Sequence, residues 1–128
     1  MSVAGEPQIL LIEDDTDIRQ SLSELLEDAG FRVAAAEDGL QALQYLRKNP
    51  PPTLILLDLL MPFMDGFEFR RETLKEPKLA AIPVIITTAL SAEFRAENTL
   101  RAAAYFTKPL DIHSLLRTVR KFCGPPVT

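Results

Sequence analysis

The amino-acid sequence predicts an α/β fold, a doubly wound, five-stranded parallel sheet with five helices. Short apolar runs occur at Ile9–Ile12, Val33–Ala36, Leu54–Leu57, Val84–Ile86 and Tyr105–Phe106. Continuous apolar runs of this length are typical of strands buried on both faces, as in a parallel sheet. A segment with helical spacing of apolar residues follows each run. This alternation, repeated five times, favours a parallel sheet covered by helices on both faces.

The first two helices are predicted from apolar residues spaced three or four positions apart. In the first helix these residues are Ile18, Leu22, Leu25, Leu26 and Ala29. Asp15, Thr16 or Asp17 is suited to cap its start, and Gly30 indicates its end. The second helix carries Leu40, Leu43 and Leu46. The three prolines at 50–52 follow this helix and mark a connection, since proline cannot continue a helix.

The other three helices are predicted in the second half of the chain. A helix beginning near Asp65–Gly66 carries Phe67, Phe69, Arg70 and Leu74. Residues 91–103 are rich in alanine, which favours a helix there. The clearest stripe is the last one, formed by Ile112, Leu115, Leu116, Val119 and Phe122. Asp111 is suited to cap this last helix, and Gly124 indicates where it ends.

Length and composition limit the classes of protein to which the chain can belong. Its 128 residues suit one domain, which we expect at 8–123, with flexible tails at 1–7 and 124–128. No apolar run approaches the roughly 20 residues of a membrane helix, so we expect no membrane partner. A net charge of −4 argues against direct nucleic-acid binding. A single cysteine, Cys123, excludes an intrachain disulfide and favours a reducing, cytoplasmic location.

Charged and polar residues follow the predicted strands at the point where each strand ends. The first strand is followed by Glu13, Asp14 and Asp15; later strands lead into Asp58, Thr87 and Thr88, and Lys108. In open α/β sheets, ligands bind beyond the carboxyl ends of the strands. Carboxylates from neighbouring strands can share Mg²⁺, which relieves their mutual repulsion. One carboxylate could then act as a nucleophile toward a phosphoryl group.

Each of these residues alone also has an ordinary structural explanation. Acidic residues after a strand often cap the next helix, and Asp15 and Asp17 suit that role better than metal binding. Thr88 alone is most often a strand residue, and Lys108 alone is most often a surface charge. The combination at the strand ends, rather than any single residue, indicates a site.

The motifs around these positions resemble the response-regulator receiver domain of bacterial two-component signalling. They are LLIEDD at 10–15, EDGLQAL at 37–43, LILLDLLMPFMDGFE at 54–68, PVIITTA at 83–89 and YFTKPL at 105–110. The resemblance extends over residues from about 9 to 122. It implies a flavodoxin-like sheet with the strand order 2-1-3-4-5. It also implies Mg²⁺ as the cofactor.

The resemblance implies a role for each matching residue. Asp58 matches the phosphoacceptor, and Asp14 and Glu13 match the acidic pair that binds Mg²⁺ directly and through water. Asp58 and the backbone carbonyl of Leu60 match two further metal ligands. Thr88 and Lys108 match the hydroxyl and the ammonium that contact the phosphoryl group, and the Lys108–Pro109 bond is expected to be cis. Tyr105 matches the aromatic switch residue that turns inward together with the movement of Thr88.

Leu60 and Leu90 lie two residues beyond Asp58 and Thr88, where the fold is expected to place them beside the phosphoryl group. A polar side chain at either position could orient an attacking water, whereas leucine cannot. We therefore expect slow loss of the phosphoryl group.

The function that the sequence favours is a phosphorylation-controlled switch rather than an enzyme with turnover. A sensor histidine kinase or a histidine phosphotransfer protein would phosphorylate Asp58, and a downstream protein or a linked output domain would respond. The apolar residues of 90–122 permit a homodimer. Two alternatives are a Mg²⁺-dependent phosphohydrolase acting through an aspartyl phosphate and a receiver-fold module that works without phosphorylation. Leu60, where a phosphohydrolase would normally carry a second acid, argues against the first.

Overall fold

The computed structural model describes residues 7–89 and 100–124. Its centre is a five-stranded parallel sheet with the strand order β2-β1-β3-β4-β5. The strands are β1 Ile9–Ile12, β2 Val33–Ala36, β3 Leu54–Leu57, β4 Val84–Thr88 and β5 Ala104–Thr107. The predicted fold class and strand order are confirmed. The differences are small: β4 and β5 include Thr87, Thr88 and Thr107, which were expected to follow their strands.

Five helices occur within the described residues. They are α1 Thr16–Asp28, α2 Gly39–Lys48, α3 Gly66–Leu74, α4 Pro77–Ala80 and α5 Ile112–Cys123. The short helix α4 was not predicted, because a single turn is too short to show helical spacing. Most of the helix predicted over 91–103 lies outside the described residues, and its last three residues, 101–103, are not helical.

The helices cover both faces of the sheet and divide the core into two layers. On one face, α1 and α5 pack against alternate strand residues through Leu22, Leu26, Leu115 and Val119. On the other face, α2, α3 and α4 pack against the intervening strand residues through Leu43, Leu46, Phe69 and Leu79. Strands β1 and β3 are fully buried, which explains why their sequences are continuously apolar.

Four of the described helices begin with an aspartate that caps the first turn. The side chains of Asp15, Asp38, Asp65 and Asp111 each accept a hydrogen bond from a backbone N–H three residues later. Each cap satisfies one of the N–H groups that a helix start leaves without an intrahelical partner. Three of these aspartates lie in the loops that follow β1, β2 and β3. The caps therefore fix where the chain turns at the carboxyl edge of the sheet.

Candidate functional site

Three carboxylates converge at the carboxyl ends of β1 and β3. One oxygen from each of Glu13, Asp14 and Asp58 lies within 4.8 Å of the others. The backbone N–H of Asp58 donates to Ile12 O at 3.0 Å, which joins the two strand ends directly. Glu13 and Asp58 are almost completely buried, at 1% and 4% exposure, whereas Asp14 is exposed. The structure thus brings together the acidic residues that the sequence predicted from two separate motifs.

Among the described residues, Lys108 is the cation whose side chain contacts the carboxylates of Glu13 and Asp58. Its Nζ donates to Glu13 Oε1 at 2.5 Å and lies 3.5 Å from Asp58 Oδ2. Its backbone N–H donates to Thr88 O at 2.8 Å, so the end of β4 holds the residue in place. The Lys108–Pro109 bond is cis, as predicted. One ammonium group therefore faces two buried carboxylates at the same edge of the sheet.

Burial and the neighbouring charges shift the acid–base properties of this cluster. Burial and then the Glu13 carboxylate raise the pKa of Asp58 to about 7, against the opposing effect of Lys108. Burial disfavours the ammonium form of Lys108, but its hydrogen bond to Glu13 and the charges of Asp58 and Glu13 outweigh that effect and raise its pKa. The ionised form of Asp58 is thus costly in this pocket unless additional positive charge accompanies it.

The loop after Asp58 is held close to the phosphoacceptor candidate. The Leu60 N–H donates to Asp58 Oδ1 at 3.3 Å, and the Gly66 N–H donates to Leu59 O at 2.9 Å. A Cβ atom on Gly66 would come within 2.5 Å of Asp58 O, so only glycine permits this approach. Two apolar side chains of the loop are exposed, Leu60 at 49% and Phe63 at 87%.

Thr88 and Tyr105 lie on the adjacent strands β4 and β5. Thr88 is buried at the end of β4, while Tyr105 pairs in register with Ile86 and is partly buried against the core. The neighbouring hydroxyl of Thr87 is buried without a hydrogen-bond partner among the described residues. The two predicted switch residues are thus two positions apart in the register of neighbouring strands.

Arg19 is a residue of this region that the sequence analysis did not identify. Its guanidinium donates to Glu13 O at 2.9 Å and to Asp14 O at 3.3 Å, and lies 3.6 Å from a Glu37 oxygen. The side chain therefore fixes the backbone that presents the two acidic residues. The available indication was its position one turn into α1, from which a long side chain can reach back to the preceding loop.

The other residues that the sequence analysis considered lie outside the acidic cluster. Asp15 caps α1, so the capping interpretation is confirmed, and His113 is exposed on α5. Met61 and Met64 pack partly against the core beside the Pro62 turn. Leu90 lies outside the described residues, as do residues 90–99 of the predicted dimer face.

The cluster has the donor chemistry of a site for a hard divalent cation. All its ligand candidates are oxygens, which Mg²⁺ prefers, and two of them are buried carboxylates with a single ammonium between them. A cation there would offset repulsion that Lys108 alone does not neutralise. Together, a carboxylate that can act as a nucleophile, an ammonium and a threonine at the end of the neighbouring strand β4 suit the transfer of a phosphoryl group.

The sequence of this chain matches a known protein family over most of its length. The family model described as the response regulator receiver domain matches residues 9–120. Protein PilH of Pseudomonas aeruginosa is 34% identical over 114 residues, which cover 88% of this chain and 93% of PilH. RpaA of Synechocystis, a DNA-binding dual master transcriptional regulator, is 38% identical over 116 residues, which cover 89% of this chain and 48% of RpaA.

A solved structure with the same fold comes from Thermotoga maritima. It is the response regulator protein TrrA in complex with Mg²⁺ and BeF, which superposes with a TM-score of 0.79 at 29% sequence identity. The superposition covers 91% of this chain and 99% of TrrA. None of the helices within the described residues is both long and apolar enough to cross a membrane.

Proposed function

The chain belongs to the response regulator receiver domain family, and on this premise we propose that it accepts a phosphoryl group on Asp58 and thereby switches its partner interactions. The observation that carries the proposal is the convergence of Glu13, Asp14, Asp58 and Lys108 at one edge of the sheet. Response regulator receiver domains interact with histidine kinases and output domains. The proposed phosphodonor is accordingly a sensor histidine kinase or a histidine phosphotransfer protein.

In the proposed reaction an Asp58 oxygen attacks the phosphorus of a phosphohistidine. The new O–P bond forms as the P–N bond breaks, and the imidazole of the donor keeps the electron pair of the broken bond. Lys108 is close enough to Asp58 for its ammonium to contact the incoming phosphoryl oxygens. The carboxylates of Glu13, Asp14 and Asp58 and the carbonyl of Leu60 would hold Mg²⁺. When bound, this ion supplies positive charge beside the phosphoryl oxygens.

The switching step follows from the new charge on Asp58. In the proposal, Thr88 moves toward the phosphoryl group and Tyr105 repacks in response. The two residues lie on the neighbouring strands β4 and β5, two positions apart in the register, which supports this coupling. A local change of charge would then alter the surface of the last strand–helix units and shift partner affinity. The downstream partner is a protein target or a linked output domain.

The test is phosphorylation by a small donor followed by intact mass. The chain is incubated with acetyl phosphate or phosphoramidate, with and without Mg²⁺, as wild type, Asp58→Asn and Asp28→Asn. Asp28 is an exposed carboxylate at the end of α1 and serves as the matched control. We expect a gain of one phosphoryl group that requires Mg²⁺ and is lost only in Asp58→Asn. An equal gain in Asp58→Asn, or no gain with either donor, would contradict the proposal.

A further inference from the structure

Arg70 of α3 is an arginine placed in the core of the domain. Its side chain is on the buried face of the helix with Gly66, Phe69 and Thr73, and the residue is 3% exposed. Its Nε donates to Leu100 O at 2.7 Å and one terminal nitrogen donates to Arg101 O at 3.3 Å. The other terminal nitrogen lies 3.5 Å from the Thr73 hydroxyl. No carboxylate of the described residues pairs with this guanidinium.

A buried arginine without a carboxylate is costly, so packing alone does not explain it. Burial and then the charge of Arg101 lower the pKa of Arg70, against the opposing effect of Tyr105, so burial at this position disfavours the cation. A leucine or methionine would fill the same space without this cost. What only arginine provides is a rigid fork of N–H donors that can hold two adjacent backbone carbonyls. The structural role of Arg70 is therefore to tie α3 to residues 100 and 101.

The start of α3 is tied to the phosphoacceptor candidate. Gly66, the first residue of the helix, donates its N–H to Leu59 O and has no space for a Cβ atom against Asp58 O. Phe69, one turn later, is fully buried in the core. The Asp58–Leu59 backbone therefore contacts the start of a helix that is packed and capped. A displacement of this backbone would act on α3 directly and not on a flexible loop.

The carbonyls held by Arg70 lie in the segment that leads into the strand of Tyr105, with two residues between Arg101 and the start of β5. The Ala103 N–H donates to Val84 O at 2.8 Å, and β5 begins at the next residue. Arg101 has a φ of +52°, a left-handed conformation that an arginine adopts only at a cost in free energy. The contact with Arg70 stabilises this turn, so Arg70 fixes the entry of the chain into β5.

We propose that Arg70 is a positioning residue that couples the Asp58 loop to β5, so that a change at Asp58 reaches the backbone before Tyr105 through α3. The inference rests on the proposed function, because it concerns how a phosphoryl group on Asp58 would be sensed. The contact of Arg70 with residues 100 and 101 adds a second connection to the one proposed through Thr88. It acts on the chain before β5, whereas Lys108 follows β5. The connection through Arg70 reaches the entry of β5, whereas the one proposed through Thr88 reaches Tyr105 within the strand.

The test compares amide NMR spectra of the full chain before and after addition of Mg²⁺ and beryllium fluoride, a stable mimic of the phosphoryl group. In the wild type we expect shifts both near Asp58, at Leu60 and Gly66, and at residues 103–106. In Arg70→Met the shifts near Asp58 should remain, while those at 103–106 fall about twofold or more. Arg71→Met, on the exposed side of the same helix, should match the wild type.

Two further measurements keep the proposal open to refutation if Arg70→Met does not fold. Arg70→Lys retains the positive charge but loses the forked N–H donors of the guanidinium. The amide shifts at 103–106 should therefore also fall in this variant. In the wild type itself, the Nε–H resonance of Arg70 should move on addition of the mimic. Wild-type shifts at 103–106 in a folded Arg70 variant, or an unmoved Nε–H resonance, would overturn the coupling alone. A wild type without shifts near Asp58 would overturn the proposed function and the coupling with it.

Discussion

Glu13, Asp58 and Lys108 form a group whose charges do not balance. Lys108 donates to Glu13 and also lies 3.5 Å from Asp58, so one ammonium group faces two buried carboxyl groups. Carboxylates buried to this degree are normally paired, because removing a charge from water is costly. The imbalance suits a site that gains positive charge from a bound cation. Lys108 is also close enough to Asp58 to contact a phosphoryl group there while it stays near Glu13.

Leu60 gives a prediction about the lifetime of a phosphoryl group on Asp58. Its side chain is half-exposed, and its N–H donates to Asp58 Oδ1, so the residue lies beside the proposed phosphoacceptor. We expect Leu60→Asn to speed up loss of the phosphoryl group by about tenfold, because an amide can orient an attacking water and leucine cannot. The measurement is the decay of the phosphorylated mass after removal of acetyl phosphate.

Leu40→Asn is the matched control for this lifetime experiment. Leu40 is exposed to the same extent as Leu60, at 49%, but lies in the first turn of α2. Its substitution should leave the decay rate unchanged. Equal decay rates in Leu60→Asn and in the wild type would show that the residue at 60 does not limit access of water.

Cys123 gives a prediction about pH dependence. Burial raises the pKa of its thiol from 9.0 to about 11. At pH 8 the reactive thiolate is then about 100-fold scarcer than at the ordinary pKa, and its greater nucleophilicity recovers about tenfold. We expect a disulfide reagent such as DTNB to react about tenfold more slowly with the native chain than with the urea-unfolded chain. The native rate should rise steadily between pH 8 and 10, and equal rates in both states would contradict the shift.

Strands and helices could be predicted well because local pattern and tertiary structure agree. The continuous apolar runs of β1 and β3 are buried on both faces, and the caps Asp15 and Asp111 begin α1 and α5. The acidic cluster could also be predicted, because parallel strands end at the same edge. The contacts of Arg70 could not, since charged residues are rarely buried and its acceptors lie about thirty positions away. The position of Arg70, four residues after Gly66 and three before Thr73 on the buried face of α3, was the available indication.

Gly66 gives a prediction about how α3 begins. A Cβ atom at this position would lie 2.5 Å from Asp58 O and 2.7 Å from Leu59 Cα, both of which are backbone atoms that cannot rotate away. We expect Gly66→Ala to lower the free energy of unfolding by about 1–3 kcal/mol despite the better helix propensity of alanine. Urea unfolding measures this change, and Arg71→Ala on the exposed face is the control. A Gly66→Ala variant as stable as the control would mean that the close approach is not required.

The doubly wound architecture explains how one domain can combine a rigid core with a responsive edge. Two separate apolar layers hold the sheet from both sides, and neither layer includes a residue of the acidic cluster. The acidic cluster and Lys108 lie instead at the carboxyl edge, where the capped loops after β1 and β3 begin the next helices. A ligand bound there changes the charge at the edge without entering the core. The stability of the whole fold should therefore report on binding at this edge.

Binding of Mg²⁺ should stabilise the whole domain against unfolding, because the oxygens of Glu13, Asp14 and Asp58 are brought within 4.8 Å of one another only in the folded chain. At a Mg²⁺ concentration ten times Kd, we expect the free energy of unfolding to rise by about 1.4 kcal/mol. For a chain of this size the corresponding increase in Tm is roughly 5 °C.

Asp58→Asn removes one of two repelling buried carboxylates, so this variant should be more stable than the wild type without Mg²⁺ and gain less from the ion. Asp28→Asn should respond as the wild type does in thermal unfolding followed by circular dichroism. An equal gain in Asp58→Asn and in the wild type would show that the ion binds elsewhere.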